Sequence, residues 1–200
     1  MIAKAQSSIS KTLLVAAVLT MGLSACATQK PTRSGFLTTP PPVASPQGRY
    51  RAAIIEPVVY RPSGKVPERA SDADIAMLQS AYQSALAEAF AARMTLTEEP
   101  GPDVLRVRAA VTGYGLANPA WNVAALFAPI GTRNGGVATE AEIVDSLTGV
   151  PVVQQSLAFN AGFFNSKPSA MFKRAAHAKA GFQRHARELA AKAPALAKAN

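Results

Sequence analysis

The chain has 200 residues, 48% of them hydrophobic, and its formal net charge at pH 7 is +9. This length is enough for one domain with a buried core, and the single cysteine excludes a disulfide within the chain. The basic excess suits an anionic neighbour, such as phospholipid head groups or an acidic protein face.

The first 25 residues have the three parts of a secretory signal peptide. Lys4 and Lys11 give a positive start without acidic residues, and residues 13–19 form an apolar run of the length of a signal core. This run is too short for a retained membrane helix, which needs about 20 residues. We therefore expect residues 1–25 to be removed.

The signal segment ends in a pattern typical of a lipobox, Leu23-Ser24-Ala25-Cys26. A lipobox is cut before its cysteine, whose thiol carries diacylglycerol and whose freed amine takes a further acyl chain such as palmitate. Two or more chains hold a protein durably on a membrane. We expect lipid attachment at Cys26; the alternative is an unmodified cysteine after an ordinary signal peptide.

The residue after the cysteine favours a destination. An aspartate there retains Gram-negative lipoproteins at the inner membrane, whereas this chain has Ala27. We expect a lipid-anchored protein of the outer membrane, on its periplasmic face, which does not bind nucleic acid. Without residues 1–25 the net charge is +7, from 21 − 2 = 19 basic and 12 acidic side chains.

Residues 26–48 are predicted to form a proline-rich tether that lifts the domain off the membrane. Its prolines favour an extended backbone without internal hydrogen bonds. Ser34-Gly35-Phe36-Leu37 interrupts the tether with two large apolar residues. We expect this segment to dock on the domain and to mark where the free tether begins.

The domain is predicted to begin with a strand and a helix. The strand covers residues 50–60, with Pro57 at its exit or on a sheet edge. Ser71 and the acidic residues after it mark a helix start, and an apolar stripe continues the helix to about Met94. The stripe consists of Ile75, Leu78, Tyr82, Ala85, Leu86, Ala89 and Phe90.

Two alternating strands follow, and each has charged residues on one face. Arg106 and Arg108 lie on one face of the first strand, and Glu140 and Glu142 on one face of the second. If the strands pair, the arginines lie opposite the glutamates on a solvated face, and each pair contributes about 0.2–1 kcal/mol.

The second of these strands is predicted to continue into a β-hairpin over residues 137–159. Asp145 to Gly149 has the composition of a turn, in which Asp145 accepts bonds from the backbone and the glycine tolerates positive φ. The returning strand runs from Val150 to Phe159.

A basic helix is predicted at the C-terminus, from Ser166-Lys167-Pro168 to Pro194, with a frayed tail over 194–200. Against Glu188 alone, residues 168–200 hold seven basic side chains: Lys173, Arg174, Lys179, Arg184, Arg187, Lys192 and Lys198. This composition favours contact with an anionic surface.

No catalytic, metal or cofactor site is predicted. His177 and His185 lie eight residues apart, whereas two metal ligands on one helix need a spacing of three or four. Ser146 beside Asp145 lacks the Gly-x-Ser-x-Gly turn of a hydrolase. Gly113-Tyr114-Gly115 lacks the third glycine of a dinucleotide site.

The stretch 116–131 connects two strands and carries no charge. Its large side chains are Trp121, Leu126 and Phe127. One interpretation is a short helix or folded loop packed on the domain. The other is a surface for a partner, a second copy or the membrane, because long apolar connections are often functional.

Three motifs resemble a known family. They are Ser34-Gly35-Phe36-Leu37, the strand sequence from Pro100 to Thr112, and Glu140-Ala141-Glu142-Ile143-Val144-Asp145-Ser146-Leu147-Thr148-Gly149. The family is the bacterial lipoprotein family catalogued as domain of unknown function 3313, and the resemblance covers residues 34 to 190. The chain departs from it in the proline run after Leu37, where the family has a tyrosine-containing segment, and in Val150, where an acidic residue is common. The resemblance implies a location and a fold type, but no activity.

The element order β-α-β-β-β-α predicts one α+β domain over residues 49–193. We expect a two-layer sandwich, with a small, mainly antiparallel sheet and both helices on one face. The first strand and the 104–113 strand are predicted to be parallel, joined by the first helix as a right-handed crossover.

We expect an envelope lipoprotein without catalytic activity. It would bind an envelope protein or a second copy through the 116–131 connection and the basic helix. The alternative is an enzyme or ligand-binding module acting on envelope lipid or cell wall, which a deep pocket with converging polar groups would favour.

Overall fold

Six strands form one open mixed sheet, and two helices pack on one of its faces, in a computed structural model that describes residues 34–37, 49–63, 71–115, 136–160 and 175–196. We call the sheet face that packs on the helices the inner face and the opposite one the outer face. The elements are β1 (Ala52–Ile55), β2 (Val59–Tyr60), α1 (Asp72–Ala91), β3 (Thr95–Leu96), β4 (Val104–Gly115), β5 (Gly136–Asp145), β6 (Pro151–Asn160) and α2 (Ala176–Lys192).

The sheet has the strand order β3-β1-β4-β5-β6, and β2 also pairs with β4. The three long strands β4, β5 and β6 form an antiparallel meander. The short strands β1 and β2 are parallel to β4, and β3 is parallel to β1. The predicted α+β two-layer architecture and the parallel pairing of the first strand with β4 are therefore confirmed.

The predicted strand 50–60 is split into β1 and β2 around Pro57, which has no N–H to donate. Side chains of α1 satisfy the backbone at the break. Gln83 Oε1 accepts from the Val58 amide at 2.9 Å, and Gln79 Nε2 donates to the Val58 carbonyl at 2.7 Å. The two-residue strand β3 was not predicted, because two residues show no periodicity.

The first helix begins and packs as its sequence pattern predicts. Ser71 is the N-cap, and its hydroxyl accepts from the Asp74 amide at 3.1 Å. The helix ends at Ala91, three residues before the predicted end. Five stripe positions are buried in the core, namely Leu78, Tyr82, Ala85, Leu86 and Phe90.

The hairpin of β5 and β6 and its turn are confirmed. Asp145 Oδ1 accepts from the amides of Leu147 at 3.1 Å and Thr148 at 2.9 Å, and Gly149 has φ of +70°. Only glycine adopts such a φ without strain.

The second helix is described from Ala176 to Lys192 and ends two residues before Pro194. Its predicted start at residues 166–168 lies outside the described residues. Part of the predicted frayed tail is held: Ala195 forms a parallel bridge with Tyr50, and the Leu196 amide donates to the Tyr50 carbonyl at 2.8 Å. The tail differs from the prediction here because the backbone of Tyr50 offers it a partner.

Candidate functional site

The N-terminal segment Ser34–Leu37 lies on the outer face of the sheet and is held there by Glu140 of β5. The Ser34 amide donates to Glu140 Oε1 at 2.8 Å, and its hydroxyl donates to Oε2 at 2.6 Å. Both carboxylate oxygens are thus bound by one residue, 106 positions away in sequence. The sequence expectation that this segment docks on the domain is confirmed for these four residues.

Phe36 provides a second contact of the segment. Its ring lies under the Arg108 guanidinium, 6.0 Å from ring centroid to Cζ, at the outer limit of a cation–π contact. The Phe36 amide donates to Ser34 Oγ at 3.2 Å, and Gly35 between them has φ of +75°. The serine hydroxyl therefore bonds both its own segment and the sheet, and the glycine allows the tight turn.

A network of charged side chains continues from Arg108 across three strands. Arg108 donates to Glu142 at 2.8 Å and lies 3.6 Å from Glu56, which also accepts from Arg106 at 2.9 Å. Gln154 of β6 donates to Glu142 at 3.2 Å. Polar side chains of neighbouring strands therefore bond one another across this face of the sheet.

This face differs from the prediction in two respects. Arg108 is opposite Glu142 as expected, but Glu140 is opposite Ala110 and Arg106 is opposite Val144. Arg106 instead bonds Glu56 from the β1 side. The face is also not solvated at the glutamates, since Glu140 is 1% exposed and Glu142 is 0% exposed. An alternating strand pattern specifies a face but not what covers it.

A buried polar cluster lies on the inner face, where α1, α2 and β5 meet. His185 Nδ1 is 2.7 Å from the Tyr82 hydroxyl and 2.6 Å from the Thr139 hydroxyl, and its ring stacks on Tyr82. Burial lowers the pKa of His185 to about 4 and raises that of the Tyr82 hydroxyl. At neutral pH the histidine is therefore uncharged. Its role as a polar core residue could not be recognised from the sequence, because it lies among the apolar residues Phe182, Ala186 and Leu189 on the buried side of α2.

The residues considered for catalysis have structural roles. Ser146 Oγ accepts from the Gly101 amide at 3.1 Å and donates to its carbonyl at 3.0 Å. Asp145 Oδ2 accepts from the Tyr50 hydroxyl at 2.9 Å. Burial raises the pKa of Asp145, but bonds from Thr148, Tyr50 and Leu147 outweigh it and lower the pKa. In the described part of the chain, Ser146 and Asp145 therefore hold the hairpin turn against Gly101 and Tyr50 through hydrogen bonds.

No group of three or more His, Cys, Asp or Glu side chains within the described ranges is placed to hold a metal ion. None of the helices in those ranges is long and apolar enough to cross a bilayer. The predicted lipid site at Leu23, Ser24, Ala25 and Cys26 and the predicted partner surface at Trp121, Leu126 and Phe127 lie outside the described residues.

A groove of about 370 Å³ runs between α1 and α2 on the side away from the sheet. Its floor is made of alanines and its rim of polar helix side chains; the lining is Ala85, Glu88, Ala89, Ala92, Arg93, Gln183, Arg187 and Ala190. A neighbouring groove of about 330 Å³ adds Lys179 and Met77. Neither groove is lined by Glu140, Glu142 or the Tyr82–His185 cluster, so neither gathers the buried polar groups.

The charged side chains that line these two grooves are Arg93, Lys179 and Arg187 against Glu88, so the rim carries a basic excess. Two further basic residues of α2, Arg184 and Lys192, are exposed outside the lining. The acidic Glu188 between them accepts from Arg184 at 2.8 Å and Gln155 at 3.0 Å. The Arg184 bond is the main cause that lowers the pKa of Glu188, and it neutralises only one of the cations.

Comparisons with known proteins identify a family. A family model described as "Protein of unknown function (DUF3313)" matches residues 42–189, so the Ser34–Leu37 segment precedes the matched range. No curated protein matches the sequence significantly.

Several solved structures are similar in fold at low identity. A hypothetical protein, CT253 from Chlamydia trachomatis, is 12% identical, with a TM-score of 0.43 and coverage of 72% of this chain and 96% of its own. PelC from Paraburkholderia phytofirmans, crystallised as a dodecamer, is 14% identical, with a TM-score of 0.39 and coverage of 80% and 95%. Lipoprotein GNA1162 from Neisseria meningitidis is 14% identical, with a TM-score of 0.35 and coverage of 60% and 90%.

Proposed function

We propose that this chain, which belongs to the DUF3313 family of proteins of unknown function, is a lipid-anchored envelope lipoprotein that acts by binding rather than by catalysis. The observation that carries the proposal is the sequence Leu23-Ser24-Ala25-Cys26 after an apolar run, with the only cysteine of the chain at its end. Ala27 supports the outer membrane as the destination, with the domain on the periplasmic side.

The basic rim of the α1–α2 groove is the proposed binding surface within the described residues. Arg93, Lys179 and Arg187 surround a floor of small side chains. Small side chains allow the backbone of a partner to approach the groove closely. Charge complementarity then favours an acidic protein segment. The connection 116–131, with Trp121, Leu126 and Phe127, is proposed as a second contact, with the partner or with a second copy.

Replacing the anchor cysteine tests the proposed location. Cys26→Ser should leave a precursor that is not cut after Ala25, because the modifying step needs the thiol. Mass spectrometry of wild-type peptides containing Cys26 should show acyl chains, and the variant should keep residues 1–25 and carry no acyl chain. A wild-type protein with an unmodified Cys26 that stays in the soluble fraction contradicts the anchor.

Reversing the charge of the groove tests the binding surface. In cells treated with a crosslinker, the double variant Lys179→Glu and Arg187→Glu should lose most captured partner, because the complementary charges now repel. The matched control reverses two exposed arginines away from the groove, Arg51→Glu and Arg61→Glu, with the same net charge. Equal crosslinking by the two double variants rejects the groove as the binding surface.

A further inference from the structure

The docked segment Ser34–Leu37 limits how far the domain can lie from its anchor. A buried carboxylate is costly unless it is hydrogen-bonded, and Glu140 receives its two bonds from the amide and hydroxyl of Ser34. Charge-assisted hydrogen bonds of this kind are about twice as strong as neutral ones. The contact therefore stabilises both partners. It fixes the position of the segment on the sheet, and it supplies hydrogen-bond donors to the buried carboxylate of Glu140.

The anchor and the docked segment are close in sequence. Only residues 27–33 lie between Cys26 and Ser34, and eight Cα steps span at most about 26–29 Å. From Cys26 to Arg49, where the domain begins, there are 23 steps, which span at most about 76–83 Å. Docking therefore removes roughly two thirds of the available reach.

We propose that Ser34–Leu37 is a docking segment that turns the outer face of the sheet toward the membrane. Residues 27–33 are then the only part of the chain between the lipidated cysteine and the domain. This inference rests on the proposed lipid at Cys26. Residues 38–48, including the proline run, then connect two points of the same domain and do not set its height above the membrane.

The placement of the helices follows from the same contact. Since α1 and α2 pack on the inner face, the docking segment directs the groove between them away from the membrane that holds the anchor. Lys30 and Arg33 belong to residues 27–33, and their charge suits anionic head groups. The basic rim of the groove is then presented to a protein in the periplasm instead of the lipid surface beneath the domain.

Two insertions on opposite sides of the docking segment test the proposal. The protein is purified with its lipid, reconstituted in a supported bilayer, and its height above the bilayer is measured by neutron reflectometry. An insertion of about 20 Gly/Ser residues between Lys30 and Pro31 should raise the domain by about 13 Å. The same insertion between Val43 and Ala44 should leave the height unchanged. Equal rises in both proteins overturn the proposal.

Undocking variants give the complementary result. In Ser34→Pro with Phe36→Ala, which removes both donors to Glu140 and the ring under Arg108, both insertions should raise the domain equally. In the matched control, Thr38→Ala with Thr39→Ala, the asymmetry should persist. If the undocked protein keeps the asymmetry, these contacts do not hold the segment and the proposal fails.

Hydrogen exchange separates failure of docking from failure of the anchor. In the Cys26→Ser chain, which needs no lipid, Glu140→Gln should speed exchange at the Ser34 amide about tenfold or more, and Glu99→Gln should not. Unchanged exchange rejects docking whatever the state of Cys26. An unmodified Cys26 in the membrane preparation instead rejects the proposed anchor, and with it the placement at the membrane, even where the exchange result holds.

Discussion

At the scale of single residues, His185 shows how an apolar stripe can hide a polar core. The ring is 0% exposed, yet Tyr82 and Thr139 both reach its Nδ1 atom. Its Nε2 atom has no hydrogen-bond partner among the described residues. Protonating this nitrogen adds a buried charge, so the fold opposes it.

We predict that His185 makes the domain acid-sensitive. The groups facing it are Tyr82, Thr139, Glu188 and Lys192. Since its folded pKa of about 4 lies below the unfolded value of 6.5, the unfolded state binds the proton first as pH falls. Stability is therefore complete above pH 6.5 and decreases toward pH 4, by about 2 kcal/mol at pH 5.

Urea unfolding of His185→Gln measured at pH 7.5 and pH 5.0 checks this prediction. The variant loses the titrating group, so its unfolding free energy should differ less between the two pH values than that of the wild type. His177→Gln is the comparison: burial also lowers the pKa of His177, so this variant should reduce the pH dependence in the same direction but by less than His185→Gln. An equal pH dependence in wild type and His185→Gln would show that another group is responsible.

The pair Arg108–Glu142 is predicted to stabilise more than an exposed pair. The carboxylate is 0% exposed while the arginine side chain is 41% exposed, so solvent screens the pair only from one side. We expect a coupling energy of about 1–2 kcal/mol, above the value expected for a solvated sheet face. A double-mutant cycle with Arg108→Gln and Glu142→Gln measures it, with Arg187→Gln and Glu142→Gln as the uncoupled control, because Arg187 lies on α2 outside this network. A coupling near zero for the first pair would contradict this interpretation.

At the scale of elements, helix α2 approaches the sheet closely at Gly181. A Cβ atom there would lie 2.6 Å from Val137 Cγ2 and 3.1 Å from the Phe159 ring. Glycine in a helix usually costs stability relative to alanine, by about 1 kcal/mol. Here it allows the helix to lie against β5 and β6, where the His185 bonds form.

We predict that Gly181→Ala destabilises the domain by about 1–3 kcal/mol in spite of the better helix propensity of alanine. The rigid, β-branched Val137 cannot move aside easily. Adding Val137→Ala should recover part of the loss, because it removes the clashing methyl group. The melting temperatures of the single and double variants check this. A Gly181→Ala variant more stable than wild type would show that the helix and sheet can separate at no cost.

At the scale of the whole molecule, the two faces of the sheet have different tasks in the proposed function. The outer face receives the docking segment, and the inner face carries the helices and their groove. The uncharged stretch 116–131 belongs to the connection between β4 and β5, and the hypothesis that it forms an interface remains a prediction, since it lies outside the described residues.

The interface hypothesis for this connection predicts a separation of binding from stability. In the chain without its lipid, Trp121→Ala and Phe127→Ala should leave the melting temperature nearly unchanged, because an interface residue is not part of the core. In cells they should abolish crosslinks or self-association, since aromatic anchors carry most interface energy. If both variants instead melt far lower, as a core truncation costing about 3–5 kcal/mol would cause, the residues belong to the core.

Local signals in the sequence determined much of the architecture. The cap at Ser71, the stripe of α1 and the Asp145–Gly149 turn rest on interactions within a few residues, and the structure has all three. The alternation of β4 and β5 determined which residues share a face. The lipobox is equally local, and the docking of Ser34–Leu37 was expected because two large apolar residues interrupt a tether.

The tertiary structure decided what the covered and paired groups contact. Strand register depends on bulges and on neighbouring strands, so the partner of Arg106 was Glu56 and not a glutamate of β5. Burial of Glu140 depends on a segment 106 residues away, and neutrality of His185 depends on its burial between α1 and β5. Such contacts join distant parts of the chain, and periodicity reports only the face on which a residue lies. The side of the sheet that receives the N-terminal segment, and with it the proposed orientation on the membrane, was therefore visible only in the folded molecule.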